Sequence, residues 1–139
     1  MSSLKRGLPA PSVEDAPMTD AKPRAVAIVD DDDAVRDSLK FLLEVSGYVV
    51  EAFASAADFL DNEMHEVACL ILDHHMPQMT GLQLVEKLRA DGWARPILLV
   101  TGSPSPAIVA RAAELGVQRV VEKPPSEDEV VEFVNAALA

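Results

Sequence analysis

The chain has 139 residues, the length of one domain, and 49% of them are apolar but only 4% aromatic, so an aliphatic core is expected. Its net charge of −11 argues against non-specific binding to nucleic acid or to an anionic membrane surface. No apolar stretch approaches the roughly 20 residues that a membrane span needs. Lys5 and Arg6 are not followed by the apolar region that a secretory signal requires. A cytoplasmic protein is therefore predicted, and its single cysteine, Cys69, is expected to be a core residue in a reducing compartment.

The first 23 residues differ in composition from the rest of the chain. They contain four prolines and several small polar residues, and they show no apolar periodicity. Such a segment buries too little apolar surface to offset the entropy lost on ordering. The sequence thus predicts a disordered tail over residues 1–23 and one domain over residues 24–139, with Met18 as an alternative translation start.

From Arg24 onward, strand-like and helix-like segments alternate five times. Short apolar runs predict strands near residues 25–29, 48–53, 67–72, 96–100 and 117–121. Apolar residues at helical spacing predict helices over residues 33–46, after Ser55, over 81–90, over 106–115 and after Ser126. With right-handed crossovers, this alternation predicts an α/β fold with a doubly wound, five-stranded parallel sheet of order 2-1-3-4-5, which is flavodoxin-like.

Polar residues of different chemical types follow four of the five predicted strands. Asp30 and Asp31 follow the first strand, Asp73 the third, Thr101 the fourth and Lys123 the fifth. The carboxyl ends of parallel strands line one edge of a sheet, and ligands bind in the crevice there. The sequence therefore predicts that three acids, a hydroxyl and a lysine converge on one pocket.

The run of four aspartates after the first strand has two interpretations. Asp32 and Asp33 are suited to the start of a helix, because aspartate is a good N-cap and favours the positive end of the helix dipole. The same interpretation remains an alternative for Asp30 and Asp31. Their position directly at a strand end favours a site for a hard divalent cation, because Mg²⁺ prefers oxygen ligands.

Four motifs at successive strand ends resemble the receiver domain of bacterial two-component response regulators, and the resemblance covers about residues 24–138. The motifs are Ile28–Asp32, Leu72–Gly81, Thr101-Gly102 and Lys123-Pro124. Within that family the chain is most similar to the CheY-like receivers whose third motif reads Asp-x-x-Met-Pro-x-Met-x-Gly. The resemblance implies that Asp73 accepts a phosphoryl group from the phosphohistidine of a sensor histidine kinase.

The resemblance also implies a Mg²⁺ cofactor and its ligands. Asp31 would bind the metal directly, and Asp30 would hold a metal-bound water. The Asp73 carboxylate and the backbone carbonyl of His75 would complete the ligands from the protein. Adjacent histidines at His74 and His75 also permit a metal site of their own, but no spaced third ligand accompanies them.

Lys123 and Thr101 are implied to stabilise the phosphoryl group. Phosphoryl transfer depends on alignment and on neutralisation of the equatorial oxygens, which Lys123 would provide as a point charge. Thr101 would donate its hydroxyl to a phosphoryl oxygen. The alternatives are a surface lysine at the strand end and an ordinary turn threonine before Gly102.

Two features depart from the family pattern. Receivers commonly carry an aromatic residue three positions before the lysine, where this chain has Val120. The segment Ser103–Pro106 contains two prolines and is stiff for a mobile loop. Both argue against the usual signalling route through the fourth helix, the fifth strand and the fifth helix, and favour readout through another surface.

The predicted function is a single-domain response regulator, because the chain stops at Ala139, directly after the last predicted helix. It would bind a partner, relay phosphate to a phosphotransfer or output protein, or act as a phosphate sink for the kinase. The protein is not expected to be an enzyme, apart from possible autodephosphorylation. The main alternative is a fragment of a transcriptional regulator. A phosphatase of the haloacid-dehalogenase type is disfavoured, because it would need an acid at the position of His75 and a cap domain. An adaptor that works without phosphorylation is disfavoured because no site residue is lost.

A possible homodimer or partner surface is predicted on the first helix beside the fifth, in preference to the face of the fourth helix and the fifth strand. The stripe that faces the sheet is predicted to be Val35, Leu39, Leu42 and Leu43. Phe41 and Val45 fall outside this stripe, one helical turn apart, and suggest a contact patch. A dimer of equal subunits usually has two-fold symmetry, so the patch would meet its own copy. Core packing beside the last helix is the alternative.

Overall fold

The computed structural model describes residues 24–62 and 67–139, in which five strands alternate with five α-helices. The strands are β1 (Ala25–Val29), β2 (Val49–Phe53), β3 (Val67–Asp73), β4 (Ile97–Thr101) and β5 (Arg119–Glu122). The helices are α1 (Asp33–Val45), α2 (Ala56–Leu60), α3 (Gly81–Ala90), α4 (Pro106–Glu114) and α5 (Glu127–Leu138). The tail predicted over residues 1–23 lies outside the described residues.

The strands form one parallel sheet of order β2-β1-β3-β4-β5, which confirms the predicted fold. β1 and β3 are buried along their whole length because helices cover both faces of the sheet. The register aligns the carboxyl ends of neighbouring strands, with Asp73 opposite Val100 and Thr101 opposite Glu122. The sheet therefore brings its polar strand ends to one edge.

An apolar layer lies on each face of the sheet, and both layers are largely aliphatic, as the composition predicts. On one face α1 and α5 contribute Leu39, Leu43, Val130, Phe133 and Val134. On the other, α2, α3 and α4 contribute Ala56, Phe59, Leu84, Val85, Leu88 and Ala112. Cys69 is fully buried, and burial raises the pKa of its thiol to about 12. No helix in the described part of the chain is both long and apolar enough to cross a membrane.

Side-chain caps fix the starts of the helices that surround the polar edge. Ser55 accepts the Asp58 N–H at the start of α2, as predicted from the sequence. Ser126 forms a capping box with Glu129 at the start of α5, where the sequence predicts that a helix begins. These local bonds satisfy backbone donors that a helix start otherwise leaves unpaired.

Several predicted boundaries shift because strand pairing continues or stops one or two residues away. β3 and β4 each end one residue later than predicted, so Asp73 and Thr101 are the last residues of their strands. β5 begins only at Arg119, because the N–H of Val117 bonds to the carbonyl of α4 residue Ala112. These pairings depend on the neighbouring strand and cannot be read from one apolar run.

One predicted core position on α4 is wrong. Apolar spacing along this helix predicts an inward stripe of Ile108, Val109, Ala112 and Leu115, but Val109 is 47% exposed. Ile108, Ala112 and Leu115 lie at i, i+4 and i+7 and pack against the core. Val109 lies one residue on from Ile108, which rotates it about 100° around the helix away from the sheet.

Candidate functional site

Three carboxylates converge at the carboxyl edge of the sheet. Ligand oxygens of Asp30, Asp31 and Asp73 all lie within 4.8 Å of one another. Asp30 and Asp73 are only 3% and 2% exposed, whereas Asp31 is open to solvent. Like charges at this distance repel strongly where water is excluded. The cluster is therefore expected to attract a cation.

Lys123 supplies one positive charge to this cluster from the end of β5. Its Nζ lies 3.3 Å from Asp30 Oδ2 and 3.4 Å from Asp73 Oδ1. Burial lowers the pKa of the amine, but the charges of Asp30 and Asp73 and its bonds to them raise it by more, so the net shift is upward. The backbone N–H of Lys123 donates to the carbonyl of Thr101 at 2.9 Å, which holds this loop against the end of β4.

The two oxygens of the Asp73 carboxylate have different surroundings. Oδ1 lies near Lys123 and accepts the His75 N–H at 3.3 Å. Oδ2 is buried and accepts no hydrogen bond from residues 24–62 or 67–139. Burial first and the charge of Asp30 second raise the pKa of Asp73 to about 6, although Lys123 and the His75 N–H oppose the shift. Buried polar atoms normally have partners, so Oδ2 is available for a ligand.

The remaining aspartates of the run have local partners. Asp32 is the N-cap of α1 and accepts the Val35 N–H at 3.1 Å, and Asp33 forms an ion pair with Arg36. This confirms that Asp32 and Asp33 serve the helix start. Asp30 Oδ1 accepts the Asp32 N–H at 2.8 Å, which leaves Asp30 Oδ2 directed to Lys123. Asp30 and Asp31 thus face the site while their neighbours serve the helix.

Thr101 is completely buried at the end of β4, beside the cluster. Its Oγ1 accepts the Ser103 N–H at 3.2 Å and lies 2.9 Å from Nε2 of His75. The contact with His75 was not anticipated from the sequence. It joins residues 26 positions apart through a loop conformation for which the sequence carries no signal.

His74 has a different environment from His75. Its Nδ1 accepts the Leu82 N–H at 3.3 Å, and its carbonyl accepts the Gly81 N–H at 2.9 Å, so it satisfies donors at the start of α3. Burial first and the charge of His75 second lower the pKa of His74. The potential metal-ligand cluster at this edge consists of aspartates, and His74 faces the helix start instead.

Gly81 allows α3 to begin close to the end of β3. A Cβ atom at this position would lie 2.7 Å from the carbonyl oxygen of Asp73 and 2.8 Å from Cα of His74. Both neighbours are backbone atoms that cannot move independently. Glycine is therefore required for the close packing that holds the Asp73 loop, a requirement for which the sequence alone gives no signal.

The donor set of the site suits a hard divalent cation. Three carboxylates supply oxygen ligands at close range, and Asp73 Oδ2 is buried without a partner. Oxygen ligands of this kind are preferred by Mg²⁺. A buried carboxylate beside a lysine is also suited to nucleophilic attack on an electrophilic group. The lysine, or a bound metal ion, can neutralise the negative charge of the group that is attacked.

The chain is similar to known proteins over most of its length. The chain is 39% identical over 114 residues to the transcriptional regulatory protein FixJ of Azorhizobium caulinodans, across 81% of this chain and 54% of that protein. It is 36% identical over 115 residues to the transcriptional regulatory protein TdiR of Thauera aromatica, across 82% and 51%. The chain thus spans about half the length of these curated relatives.

A solved structure shares the fold over nearly its whole length. It is a CheY-like response regulator receiver domain protein from Methanospirillum hungatei JF-1, with a TM-score of 0.77, 30% identity, and coverage of 83% of this chain and 93% of that one. The family model of the response regulator receiver domain matches residues 26–135. The chain therefore belongs to the response regulator receiver domain family of two-component signalling.

Proposed function

We propose that this chain is a phosphoacceptor in a two-component phosphorelay and that Asp73 receives the phosphoryl group from a sensor histidine kinase. The observation that carries the proposal is the buried Asp73 carboxylate. Its Oδ2 has no hydrogen-bond partner in the described part of the chain, and its Oδ1 lies 3.4 Å from Lys123 Nζ. A carboxylate of this kind can form an acyl phosphate.

The proposed transfer exchanges one bond to phosphorus for another. An oxygen of Asp73 bonds to phosphorus while the bond from the kinase histidine to phosphorus breaks, which leaves an aspartyl phosphate and a free imidazole. With a pKa of about 6, Asp73 is ionised at neutral pH and can act as the nucleophile. Lys123 would pair with a phosphoryl oxygen, and Thr101 would donate its hydroxyl to another.

We further propose Mg²⁺ as the cofactor, because the cluster of Asp30, Asp31 and Asp73 offers the oxygen ligands that this ion prefers. Asp31 is assigned direct coordination, Asp30 a metal-bound water, and His75 a ligand through its backbone carbonyl. When bound, the ion would neutralise charge on the carboxylates and on the phosphoryl oxygens. Asp31 is the exposed member of the cluster, so it lies where a hydrated ion enters.

The output is proposed to be partner binding or relay of phosphate in the cytoplasm, with a phosphate sink as a variant of the same chemistry. A second candidate is the receiver part of a transcriptional regulator. This candidate is favoured because FixJ and TdiR are both named transcriptional regulatory proteins, and each is about twice as long as the segment that this chain matches. In both cases the partner at the site is the histidine kinase.

The test is phosphorylation with a small donor. We expect incubation with acetyl phosphate and Mg²⁺ to produce a single monophosphate adduct in the intact mass of the wild-type protein, and no adduct in Asp73→Ala. Asp37→Ala, an exposed position on α1, should be labelled like the wild type. An unlabelled wild type, or an adduct that persists in Asp73→Ala, would contradict the proposal.

We also propose that a second copy of this chain binds the outer face of α1. Phe41 and Val45 are 71% and 70% exposed, which confirms their predicted position outside the inward stripe. Lys40 and Glu44 flank Phe41 and form no ion pair within residues 24–62 and 67–139. If two copies of α1 pack antiparallel about a two-fold axis, Lys40 of one copy can face Glu44 of the other, so the patch is self-complementary.

Phe41→Glu is expected to weaken self-association by at least about 100-fold, because each copy loses a buried aromatic side chain and gains a charge. Sedimentation equilibrium would measure the change at a concentration where the wild type is dimeric. Val109→Glu is the matched control, since Val109 is also an exposed apolar residue but lies on α4. A monomeric wild type, or a dimer that Val109→Glu breaks and Phe41→Glu does not, would refute the α1 surface.

A further inference from the structure

The hydroxyl of Thr101 has two neighbours that decide where its hydrogen points. Thr101 is fully buried, and its Oγ1 accepts the Ser103 N–H at 3.2 Å and lies 2.9 Å from His75 Nε2. A threonine hydroxyl has one donor hydrogen and two acceptor lone pairs. The Ser103 N–H occupies one lone pair, so His75 takes either the hydrogen or the second lone pair.

The completeness of hydrogen bonding favours one of these two arrangements. If His75 Nε2 donated, the buried hydroxyl hydrogen of Thr101 would have no acceptor among the hydrogen bonds of the described residues. A buried donor without a partner is rarer and more costly than an oxygen with one unused lone pair. The favoured arrangement therefore has the Thr101 hydroxyl donating to an unprotonated Nε2, with the His75 ring hydrogen on Nδ1.

His75 also touches the proposed phosphoacceptor. Its backbone N–H donates to Asp73 Oδ1 at 3.3 Å, while its ring reaches Thr101. A group added to Asp73 would therefore change the surroundings of the residue that holds the Thr101 hydroxyl. His75 is an exposed residue, so its ring has room to turn away into solvent, whereas Thr101 is buried at the end of β4.

We infer that His75 is a positioning residue that holds the Thr101 hydroxyl in the unphosphorylated protein and competes for it with the phosphoryl group. This inference rests on the proposed phosphorylation of Asp73 and deepens it. The hydroxyl has one hydrogen, so it cannot donate to Nε2 and to a phosphoryl oxygen at the same time. His75 must release Thr101 before the phosphoryl group can receive that bond. The hydrogen bond between His75 and Thr101 therefore stabilises the unphosphorylated state relative to the phosphorylated one.

The first experiment examines the unphosphorylated protein and does not depend on the proposed function. Long-range ¹H–¹⁵N correlation spectra of the metal-free protein at one fixed pH are expected to show His75 with its hydrogen on Nδ1 and Nε2 as an acceptor. Thr101→Val keeps the shape of the side chain but lacks the hydroxyl, and it should move the Nε2 signal. A hydrogen on Nε2, or no response to Thr101→Val, would overturn the inference.

The second experiment measures the competition itself with beryllofluoride, a phosphoryl mimic, in the presence of Mg²⁺. His75→Leu is expected to bind it roughly fivefold more tightly than the wild type, the equivalent of one hydrogen bond. Its autodephosphorylation rate after acetyl phosphate labelling should also differ from that of the wild type. His75→Gln places an amide near the Nε2 position and should behave like the wild type.

A double-mutant cycle separates this role from simple crowding of the site. In a Thr101→Val background, His75→Leu should leave the affinity for beryllofluoride unchanged, because there is no hydroxyl to release. An equal gain in both backgrounds, or an unchanged affinity and rate in His75→Leu itself, would overturn the inference and leave the proposed function intact. A wild type that takes up neither phosphate nor beryllofluoride would overturn the proposed function, while the spectra would still decide the hydrogen bond.

Discussion

Replacing Asp31 by asparagine is expected to abolish Mg²⁺ binding and phosphorylation of Asp73 together, and to raise the melting temperature of the metal-free protein. Oxygens of Asp30, Asp31 and Asp73 lie within 4.8 Å of one another, and Lys123 contacts only the two buried members of this set. Substitution of groups that merely orient metal ligands weakens binding 10- to 100-fold, so loss of a direct ligand should cost at least about 100-fold in affinity. The same substitution removes a repulsion among three carboxylates that the single charge of Lys123 does not neutralise in the metal-free state.

The matched control for this prediction is Asp32→Asn. It also removes one negative charge from the run, but Asp32 serves as the N-cap of α1, and asparagine is an equally good N-cap. Mg²⁺ titration by calorimetry, intact mass after acetyl phosphate treatment and thermal melts in EDTA would be compared for both variants. If Asp31→Asn takes up phosphate at the wild-type rate in Mg²⁺, the assignment of Asp31 as the direct ligand is wrong.

The strands and helices could be predicted because each element carries its own local signal. β1 and β3 are continuous apolar runs of the kind that a sheet covered on both faces requires, and capping residues mark the starts of α2 and α5. The ends of the strands were less predictable. Asp73 and Thr101 belong to β3 and β4 because neighbouring strands still pair with them, and that pairing is a tertiary property.

The polar edge of the sheet was predictable for a topological reason. Parallel strands end at the same edge, so Asp30, Asp73 and Lys123 had to approach one another once the strand order was known. The contact between His75 and Thr101 was not predictable, because it depends on a rotamer and on the path of a loop. The need for glycine at position 81 likewise depends on a backbone approach that appears only in three dimensions.

Replacing Asp73 by asparagine is expected to stabilise the metal-free, unphosphorylated domain at neutral pH by up to about 3 kcal/mol. Burial and the charge of Asp30 raise the pKa of Asp73 from 3.8 to about 6. Each unit of pKa difference between the folded and unfolded states corresponds to about 1.4 kcal/mol in the free energy of unfolding. Above pH 6 the ionised carboxylate therefore opposes folding, and an uncharged amide of the same shape removes that cost.

The pH dependence gives this prediction its sign. Below about pH 4 Asp73 is protonated in both the folded and the unfolded state, so the wild type and Asp73→Asn should differ little in stability. As the pH rises to about 6, the unfolded chain loses the proton first, so the wild type loses stability relative to the variant, and the difference then levels off. Urea unfolding in EDTA at a series of pH values would measure the difference, with the exposed Asp37→Asn as a control that should track the wild type. If the two proteins differ in their free energy of unfolding by an amount that is constant with pH, or that grows as the pH falls, the charge on Asp73 is not what opposes folding. If they differ only above about pH 4, the loss of stability comes from the ionised carboxylate that is proposed to accept phosphate.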